Sequence, residues 1–362
     1  MAGALGFALG VLRLERHAYR HAEPNSPAAG RQRQEYEPLA QQETGSQGRV
    51  AVLAASKLSP LYAAPLAERY ELLDRLHETD PAAFAAAAPR IRAVAAGGES
   101  KLPAALVAKL PALEVVSVMG VGYDGIDVAA CKARGAKVTH TPDVLNDDVA
   151  DLALGLMLCA ARQLPAADRY VRAGEWAAKG AMPLARKMSG ARCGIVGMGR
   201  IGKAIAQRAL AFGMSVAYTA RSAKAELPYR FFATPAALAA ESDFLVVITP
   251  GGAGTKHLID AAVLRALGKK GILVNVARGS VVDEAALIEA LEQGVIGGAA
   301  LDVFADEPNV PERLRALPHV VLVPHIGSAT TSTRQAMADL ALANLQAHFA
   351  GQPLKTPVPE CR

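Results

Sequence analysis

The sequence predicts an α/β protein built from two doubly wound parallel-sheet domains, and three observations support this fold class. The chain has 362 residues, which is more than one hydrophobic core usually serves. From residue 49 onwards, short apolar stretches alternate with helical patterns, as in a parallel sheet covered by helices on both faces. A second series of the same kind begins at residue 192, after a long apolar helix.

The composition excludes several classes of protein. Hydrophobic residues make up 51% of the chain and charged residues 20%, the balance of a globular protein. The net charge of +5 comes without a basic run interleaved with aromatic residues, so no nucleic-acid partner is expected. No apolar run reaches the roughly 18–20 residues of a membrane span, so no membrane partner is expected either.

The four cysteines are scattered along the chain at Cys131, Cys159, Cys193 and Cys361. None belongs to a pair or a cysteine–histidine cluster with the spacing of metal ligands. This usage predicts a reducing compartment, the cytoplasm, and no structural metal.

Residues 1–48 differ in composition from the rest of the chain. A small apolar stretch is followed by a segment rich in Arg, Gln, Glu, Pro and Gly without sustained periodicity. We expect a disordered extension or a start codon placed too early. A targeting peptide is the alternative, and acidic residues and the lack of a leading basic stretch weigh against it.

The first α/β series occupies residues 49–147. It ends at a helix predicted over residues 149–163, in front of which Asp147 and Asp148 complement the helix dipole. The predicted strands are 50–55, 91–96, 113–119 and 137–139, with a short apolar stretch at 70–73, and the predicted helices are 60–70, 81–88, 103–110 and 128–134.

The second series and the last helix define the domain organisation. A helix over residues 328–349 is long enough to cross back onto the first domain. The substrate-binding domain is then discontinuous, with residues 49–147 and 331–362, and residues 148–330 form the inserted nucleotide-binding domain. The predicted strands are 192–196, 214–219, 243–248, 271–276, 297–302 and 320–323, and the predicted helices are 200–212, 235–240, 261–267 and 284–293.

A glycine-rich turn opens the second series. Gly197, Gly199 and Gly202 have the spacing G-x-G-x-x-G between a predicted strand and a predicted helix, the context of a Rossmann dinucleotide fingerprint. The first glycine permits the tight turn, the second admits the pyrophosphate, and the third lets helix and strand pack closely. The helix N-terminus would hold the pyrophosphate.

The end of the next strand indicates which dinucleotide binds. An acidic residue normally stands there to accept hydrogen bonds from the adenosine ribose. Here Ala220 is followed by Arg221 and Ser222, and no acid is present. A forked guanidinium and a hydroxyl suit a 2′-phosphate. The sequence therefore predicts NADP(H), with NADH as a weaker cofactor.

Polar residues follow three neighbouring predicted strands. Arg278 follows one strand, Asp302 and Glu307 follow the next, and His325 follows the last. Ligands bind at the carboxyl ends of parallel strands, so these side chains should converge. Reduction of a ketone needs a proton on the oxygen as the carbon accepts a hydride. A histidine paired with a carboxylate can donate that proton, and an arginine can hold a substrate carboxylate.

With these residues in view, the chain resembles the D-isomer-specific 2-hydroxyacid dehydrogenase family from about residue 49 to its end. Residues 218–222 and 337–354 are similar to the NADPH-preferring glyoxylate/hydroxypyruvate reductases of that family. The motifs that carry the resemblance to the family lie at 121–127, 141–151, 172–176, 194–202, 274–283, 300–308 and 324–327.

The resemblance implies roles for individual residues. Arg278, Glu307 and His325 would be the catalytic set, Asp302 would lie near the nicotinamide amide, and Gly97 and Gly98 would bind the substrate carboxylate through backbone N–H groups, together with Arg278 and His325. Cofactor contacts are expected from Gly197, Met198, Gly199, Arg200, Ile201, Gly202, Arg221, Ser222, Thr249, Pro250, Val276, Ala277, Asp302 and Gly327.

The resemblance also implies a fold and an assembly. A Rossmann domain would be inserted in a flavodoxin-like substrate-binding domain. Members of the family are usually homodimers joined through the nucleotide-binding domain, and Trp176 would lie on an interface arm.

The expected activity is the NADPH-dependent reduction of glyoxylate or hydroxypyruvate to a D-2-hydroxy acid. Reduction of 2-ketogluconate or hydroxyphenylpyruvate is an alternative within the family. A dinucleotide-sensing corepressor without catalysis is a second alternative, and the complete Arg–Glu–His set does not separate it from an enzyme.

Overall fold

The computed structural model describes residues 48–362, which form one compact unit. The predicted extension, apart from Gly48, lies outside the described residues. Within them the chain forms two sheets whose strands are all parallel, and this confirms the predicted fold class.

The first sheet has five strands in the order β2-β1-β3-β4-β5. Its elements are β1 (Ala51–Ala54), α1 (Pro60–Arg69), β2 (Glu71–Asp74), α2 (Leu76–Thr79), α3 (Pro81–Ala87), β3 (Ile91–Gly97), α4 (Ala104–Val107), β4 (Val115–Met119), α5 (Val128–Ala133) and β5 (Lys137–Thr139).

Three helices connect the two sheets: α6 (Asn146–Arg162), α7 (Leu164–Arg172) and α8 (Glu175–Lys179). Helix α6 begins three residues earlier than predicted, so Asp147 and Asp148 lie in its first turn, where the dipole favours them. Most of its apolar side chains are buried, among them Leu154, Leu156 and Met157.

The second sheet has seven strands in the order β12-β11-β10-β9-β6-β7-β8. Its elements are β6 (Arg192–Val196), α9 (Arg200–Ala211), β7 (Ser215–Thr219), β8 (Arg230–Phe231), α10 (Pro235–Ala240), β9 (Phe244–Val247), α11 (Ala261–Leu267), β10 (Ile272–Asn275), α12 (Glu284–Glu292), β11 (Gly298–Leu301), α13 (Glu312–Arg315) and β12 (Val320–Leu322).

The last long helix, α14 (Thr331–Phe349), packs on the five-stranded sheet, against β4 and α1. The buried Ser117 hydroxyl on β4 donates to the Ala341 carbonyl (2.8 Å). Helix α14 begins three residues later than predicted, because Thr330 caps it by accepting from the Thr333 N–H. The domain boundaries at residues 147/148 and 330/331 stay a prediction.

The predicted strands and long helices are confirmed to within a few residues, and most of the missed elements are short. Strand β8 has two residues, and α2 and α13 have four each. The nine-residue α7 begins after a left-handed Gln163 and the five-residue α8 after a left-handed Gly174, and periodicity reveals neither break. In the described part of the chain, 3₁₀ turns lie at Ala88–Arg90, Ala253–Thr255, Gly279–Val281 and Pro359–Cys361.

Across residues 48–362, no single helix has the length and apolar character to cross a membrane. Helices α6 and α7 pass that test of length and composition only as a pair, which is bent by 60°.

Candidate active site

A cavity of about 1180 Å³ lies at the carboxyl ends of the strands of both sheets. It brings together most of the residues that the sequence singled out. This agrees with the expectation that residues at the carboxyl ends of parallel strands meet at one edge of a sheet. Gly197, Met198 and Ser222 do not line it. The predicted residues that do are Gly97, Gly98, Gly199, Arg200, Ile201, Gly202, Arg221, Thr249, Pro250, Val276, Ala277, Arg278, Asp302, Glu307, His325 and Gly327.

The glycine turn fits a dinucleotide. A Cβ on Gly197, whose φ is +107°, would lie 2.5 Å from the Ile248 carbonyl oxygen, and one on Gly202 would lie 2.2 Å from the Gly197 carbonyl oxygen. These two positions therefore exclude a side chain. A Cβ on Gly199, at the N-terminus of α9, would meet no non-neighbouring atom within 4 Å, so the space there is open. Open space before a helix N-terminus is what a pyrophosphate needs.

Arg221 lies beside this turn. Strand β7 pairs in parallel with β6, and the Gly197 N–H donates to the Thr219 carbonyl (3.0 Å), so the residues after β7 lie next to the glycine turn. Arg221 is exposed and lines the cavity. The Tyr218 hydroxyl accepts from the Lys224 N–H (2.7 Å) and thereby holds the following loop against the sheet.

The turn after β10 presents Arg278. The Asn275 side chain, which is buried, donates to the Arg278 carbonyl (3.0 Å) and accepts from the Ala277 N–H (3.1 Å). The Arg278 guanidinium donates through Nη1 to the Ala277 carbonyl (2.7 Å). Its Nε is buried and lies 3.3 Å from Oδ1 of Asp124, in the loop after β4. Both walls of the cavity therefore hold this guanidinium.

His325 and Glu307 form a hydrogen-bonded pair. Nδ1 of His325 lies 2.7 Å from Oε2 of Glu307, and the carboxylate accepts, so Nδ1 carries the proton. The other Glu307 oxygen accepts from the Phe304 N–H (2.8 Å). Burial alone would lower the pKa of His325, but the carboxylates of Glu307 and Glu99 outweigh it and raise the pKa to about 9.

Asp302 holds the loop that carries His325. Its carboxylate, only 2% exposed, accepts from the Ile326 N–H (2.6 Å) and the Gly327 N–H (2.9 Å). Burial raises the pKa of Asp302 despite these hydrogen bonds. His325 itself has a φ of +52°, an uncommon conformation for a residue with a side chain, and strain of this kind is often found at functional sites. The contact between Asp302 and the cofactor stays a prediction.

At the end of β3, the Gly97 N–H that was expected to bind the substrate carboxylate has a partner within the protein. The Gly97 N–H donates to the Ser100 hydroxyl (2.7 Å), which is itself 2.6 Å from the Ser56 hydroxyl. This donor is thus already used within the loop, and carboxylate binding by Gly97 and Gly98 stays a prediction.

Sequence reasoning missed Asp124 and Glu99 as members of the site. Oε1 of Glu99 lies 2.5 Å from Nδ1 of His325. Ligand atoms of Glu99, Glu307 and His325 all lie within 4.8 Å of one another, close enough for a metal ion, and both carboxylates pair with Nδ1 of His325. The expectation of no metal therefore stays a prediction.

Comparisons with known proteins agree with this geometry. A family model described as "D-isomer specific 2-hydroxyacid dehydrogenase, NAD binding domain" matches residues 154–327. Glyoxylate/hydroxypyruvate reductase A of Arabidopsis thaliana is 52% identical over 268 residues, which cover 74% of this chain and 85% of that protein. Hydroxyphenylpyruvate reductase of Plectranthus scutellarioides is 46% identical over 312 residues, covering 85% and 99%.

Solved structures show the same similarity. The NADPH-dependent glyoxylate/hydroxypyruvate reductase of Sinorhizobium meliloti, in complex with NADP and malonate, superposes with a TM-score of 0.82 at 45% identity. The superposition covers 87% of this chain and 98% of that one.

A dinucleotide turn beside an Arg–Glu–His cluster, at the strand ends of two parallel sheets, defines an oxidoreductase that uses a nicotinamide dinucleotide. Within that class, the chain belongs to the D-isomer specific 2-hydroxyacid dehydrogenase family. The resemblance stated from the motifs is confirmed.

Proposed function

We propose that this protein reduces short 2-oxo acids, glyoxylate and hydroxypyruvate first among them, to 2-hydroxy acids with NADPH, and that the product has the D configuration wherever C2 becomes a stereocentre. The observation that carries the proposal is the His325–Glu307 pair, which shares one cavity with Arg278 and the glycine turn. The relatives named as glyoxylate/hydroxypyruvate reductases support the choice of substrate.

The cofactor would be held by the glycine turn and by Thr249, Pro250, Val276 and Ala277, which line the cavity between the turn and Arg278. When bound, it would supply the hydride that the carbonyl carbon accepts. Arg278 would hold the substrate carboxylate with its forked donors and polarise the carbonyl.

His325 would donate the proton. With Nδ1 engaged by a carboxylate, the remaining ring nitrogen, Nε2, is the one that can give its proton to the carbonyl oxygen. Glu307 cannot turn away easily, because the Phe304 N–H fixes its second oxygen. The carboxylate thus keeps the imidazole charged and oriented, as a general acid requires.

The preference for NADPH over NADH rests on Arg221. An exposed guanidinium beside the glycine turn, with Ser222 next to it and no acid at Ala220, favours the extra phosphate. The NADP complex of the S. meliloti relative supports this preference.

We also propose a cytoplasmic homodimer. Helices α7 and α8 expose apolar side chains, with Val171 56% and Trp176 63% exposed, which suits burial against a second subunit. The four free thiols suit a reducing compartment. Sedimentation velocity of the wild-type chain and of Trp176→Arg tests the assembly, since a charge in the interface should produce monomers.

The activity is tested by following NADPH absorbance with a panel of 2-oxo acids: glyoxylate, hydroxypyruvate, hydroxyphenylpyruvate, 2-ketogluconate and pyruvate. We expect turnover of glyoxylate, whose product is achiral, and of hydroxypyruvate, whose D-hydroxy acid product is identified by chiral chromatography. Bound NADPH with no turnover of any member would overturn the proposal and favour a dinucleotide-sensing corepressor. Turnover of hydroxyphenylpyruvate or 2-ketogluconate alone would move the assignment within the family.

A further inference from the structure

Glu99 reaches the catalytic histidine from the opposite wall of the cavity. It lies on the loop after β3, in the five-stranded sheet, whereas His325 and Glu307 follow β12 and β11 of the seven-stranded sheet. Yet Oε1 of Glu99 lies 2.5 Å from Nδ1 of His325, and Oε2 of Glu307 lies 2.7 Å from the same nitrogen. Two carboxylates from different sheets therefore converge on one N–H group.

The two carboxylates are not equivalent. The Glu307 contact has the geometry of a hydrogen bond, and the Phe304 N–H fixes the far oxygen of that side chain. The Glu99 contact is an ion pair, and its side chain is 60% exposed. Glu307 is thus a fixed partner on the same wall as the histidine, whereas Glu99 is a partner brought by the facing loop.

The charges around His325 come from both walls. Glu307 and Asp302 face it from the loop after β11, and Glu99 faces it from the loop after β3. The positive charge of Arg278 attracts the Glu99 carboxylate. The pairing with His325 lowers the pKa of Glu99 despite its partial burial, and the positive charge of Arg278 acts in the same direction. The charges of His325 and Arg278 therefore favour the anionic form of Glu99.

We propose that Glu99 is a positioning residue for the proton donor: from the opposite wall of the cavity, its carboxylate pairs with Nδ1 of His325. This inference rests on the proposed function of His325 as the proton donor. Glu99 keeps the ring protonated and in one orientation when the two walls are together, so that Nε2 faces the substrate. The donor reaches its full strength only while the loop after β3, which also borders the substrate, is in place.

Holding an exposed glutamate in one conformation costs side-chain entropy. An isolated surface ion pair offsets little of that cost. A half-buried imidazolium shared with Glu307 is a stronger partner, because burial reduces the screening of its charge. Pairing with His325 therefore stabilises Glu99 in this conformation more than an exposed cation could.

The test compares Glu99→Gln, which keeps the shape and removes the charge, with Glu99→Asp, which keeps the charge and shortens the reach. The pH profile of kcat/KM for reduction is measured for each. For Glu99→Gln we expect the alkaline limb to move down by about one pH unit, the typical effect of one nearby charge. At pH 9 this lowers kcat/KM by about fivefold, and the loss becomes smaller as the pH falls towards 7. The pH profile of Glu99→Asp should lie between those of the wild type and Glu99→Gln.

Glu78→Gln is the matched control. Glu78 is also an exposed glutamate beside a histidine, with Oε1 3.7 Å from Nε2 of His77, but it lies on α2, outside the cavity. Its pH profile should match that of the wild type.

A second readout does not need turnover. The titration of His325 is followed by NMR of the labelled imidazole, assigned with His325→Gln, in the protein with NADPH bound. The same downward shift in Glu99→Gln supports the proposal. An unchanged titration and an unchanged pH profile would overturn it, and so would a gain in kcat/KM at every pH, which would mean that Glu99 blocks the place of the substrate carboxylate at Arg278.

The two readouts separate this inference from the proposed function. If the wild type turns over no 2-oxo acid while the His325 titration still shifts in Glu99→Gln, the proposed function fails, but the inferred effect of Glu99 on His325 is supported. If the wild type is active and neither measurement moves, only the role of Glu99 fails.

Discussion

Asp124 and Arg278 face each other across the cavity, with Oδ1 of Asp124 3.3 Å from Nε of Arg278. The aspartate belongs to the loop after β4 and the arginine to the turn after β10, so the contact joins the two sheets. Because Nη1 of Arg278 is also held by the Ala277 carbonyl, the guanidinium is oriented before any substrate arrives. Such preorganisation reduces the entropy lost when a carboxylate binds.

Orientation and charge at Asp124 are separable by two substitutions. Asp124→Ala removes the partner of Nε, and we expect KM for the 2-oxo acid to rise about tenfold, the effect of losing roughly 1.4 kcal/mol of binding free energy. Asp124→Asn keeps a side chain of the same size facing Nε without its charge and should raise KM much less. Steady-state kinetics at saturating NADPH check both. Equal increases in KM for the two variants would mean that the charge of Asp124, and not its position, is what matters.

The proton donor gives the second prediction. His325→Ala removes the group that we propose to protonate the carbonyl oxygen, so kcat should fall by about 10²- to 10⁴-fold. NADPH affinity should stay close to wild type, because the glycine turn is a separate part of the cavity. Fluorescence titration with NADPH measures the second quantity. An equal loss of binding and turnover would make His325 a structural residue.

The His325–Glu307 pair and the glycine turn could be predicted from the sequence because their context is local. A strand, a run of glycines and a helix are read within about ten consecutive residues, and a polar residue after an apolar strand already marks the edge where ligands bind. The sheet then brings the strand ends together, which is why Arg278, Glu307 and His325 share one cavity.

The contacts of Glu99 and Asp124 could not be predicted in this way. Each depends on how a loop of the five-stranded sheet meets a loop of the seven-stranded sheet, and no periodicity encodes that meeting. Asp302 is a different case, because its position after a strand is predictable while its hydrogen bonds to the neighbouring loop of His325, within the same sheet, are not.

The raised pKa of His325 predicts how the rates of 2-oxo acid reduction and of hydroxy acid oxidation depend on pH. The proton donor is present below its pKa of about 9 and is lost as the pH rises through that value. Reduction should therefore show kcat/KM that is level at neutral pH and falls about tenfold per unit well above pH 9. Oxidation of the D-hydroxy acid needs the neutral ring and should rise towards pH 9. A reduction profile that falls near the ordinary histidine value of 6.5 would contradict the pairing.

Arg221 gives the last prediction, on the choice of cofactor. Arg221→Ala removes the guanidinium beside the glycine turn, and we expect KM for NADPH to rise by at least tenfold, since a charge-assisted pair with a phosphate contributes about 1.5–3 kcal/mol. KM for NADH should change little, because NADH has no 2′-phosphate. The ratio of kcat/KM for the two cofactors is the measurement. Arg230→Ala is the control, because Arg230 is an exposed arginine on the neighbouring strand β8, packs over the Phe232 ring at 4.5 Å and does not line the cavity. If both variants keep the wild-type ratio, the 2′-phosphate is not held by Arg221, and the preference for NADPH must come from elsewhere in the loop after β7.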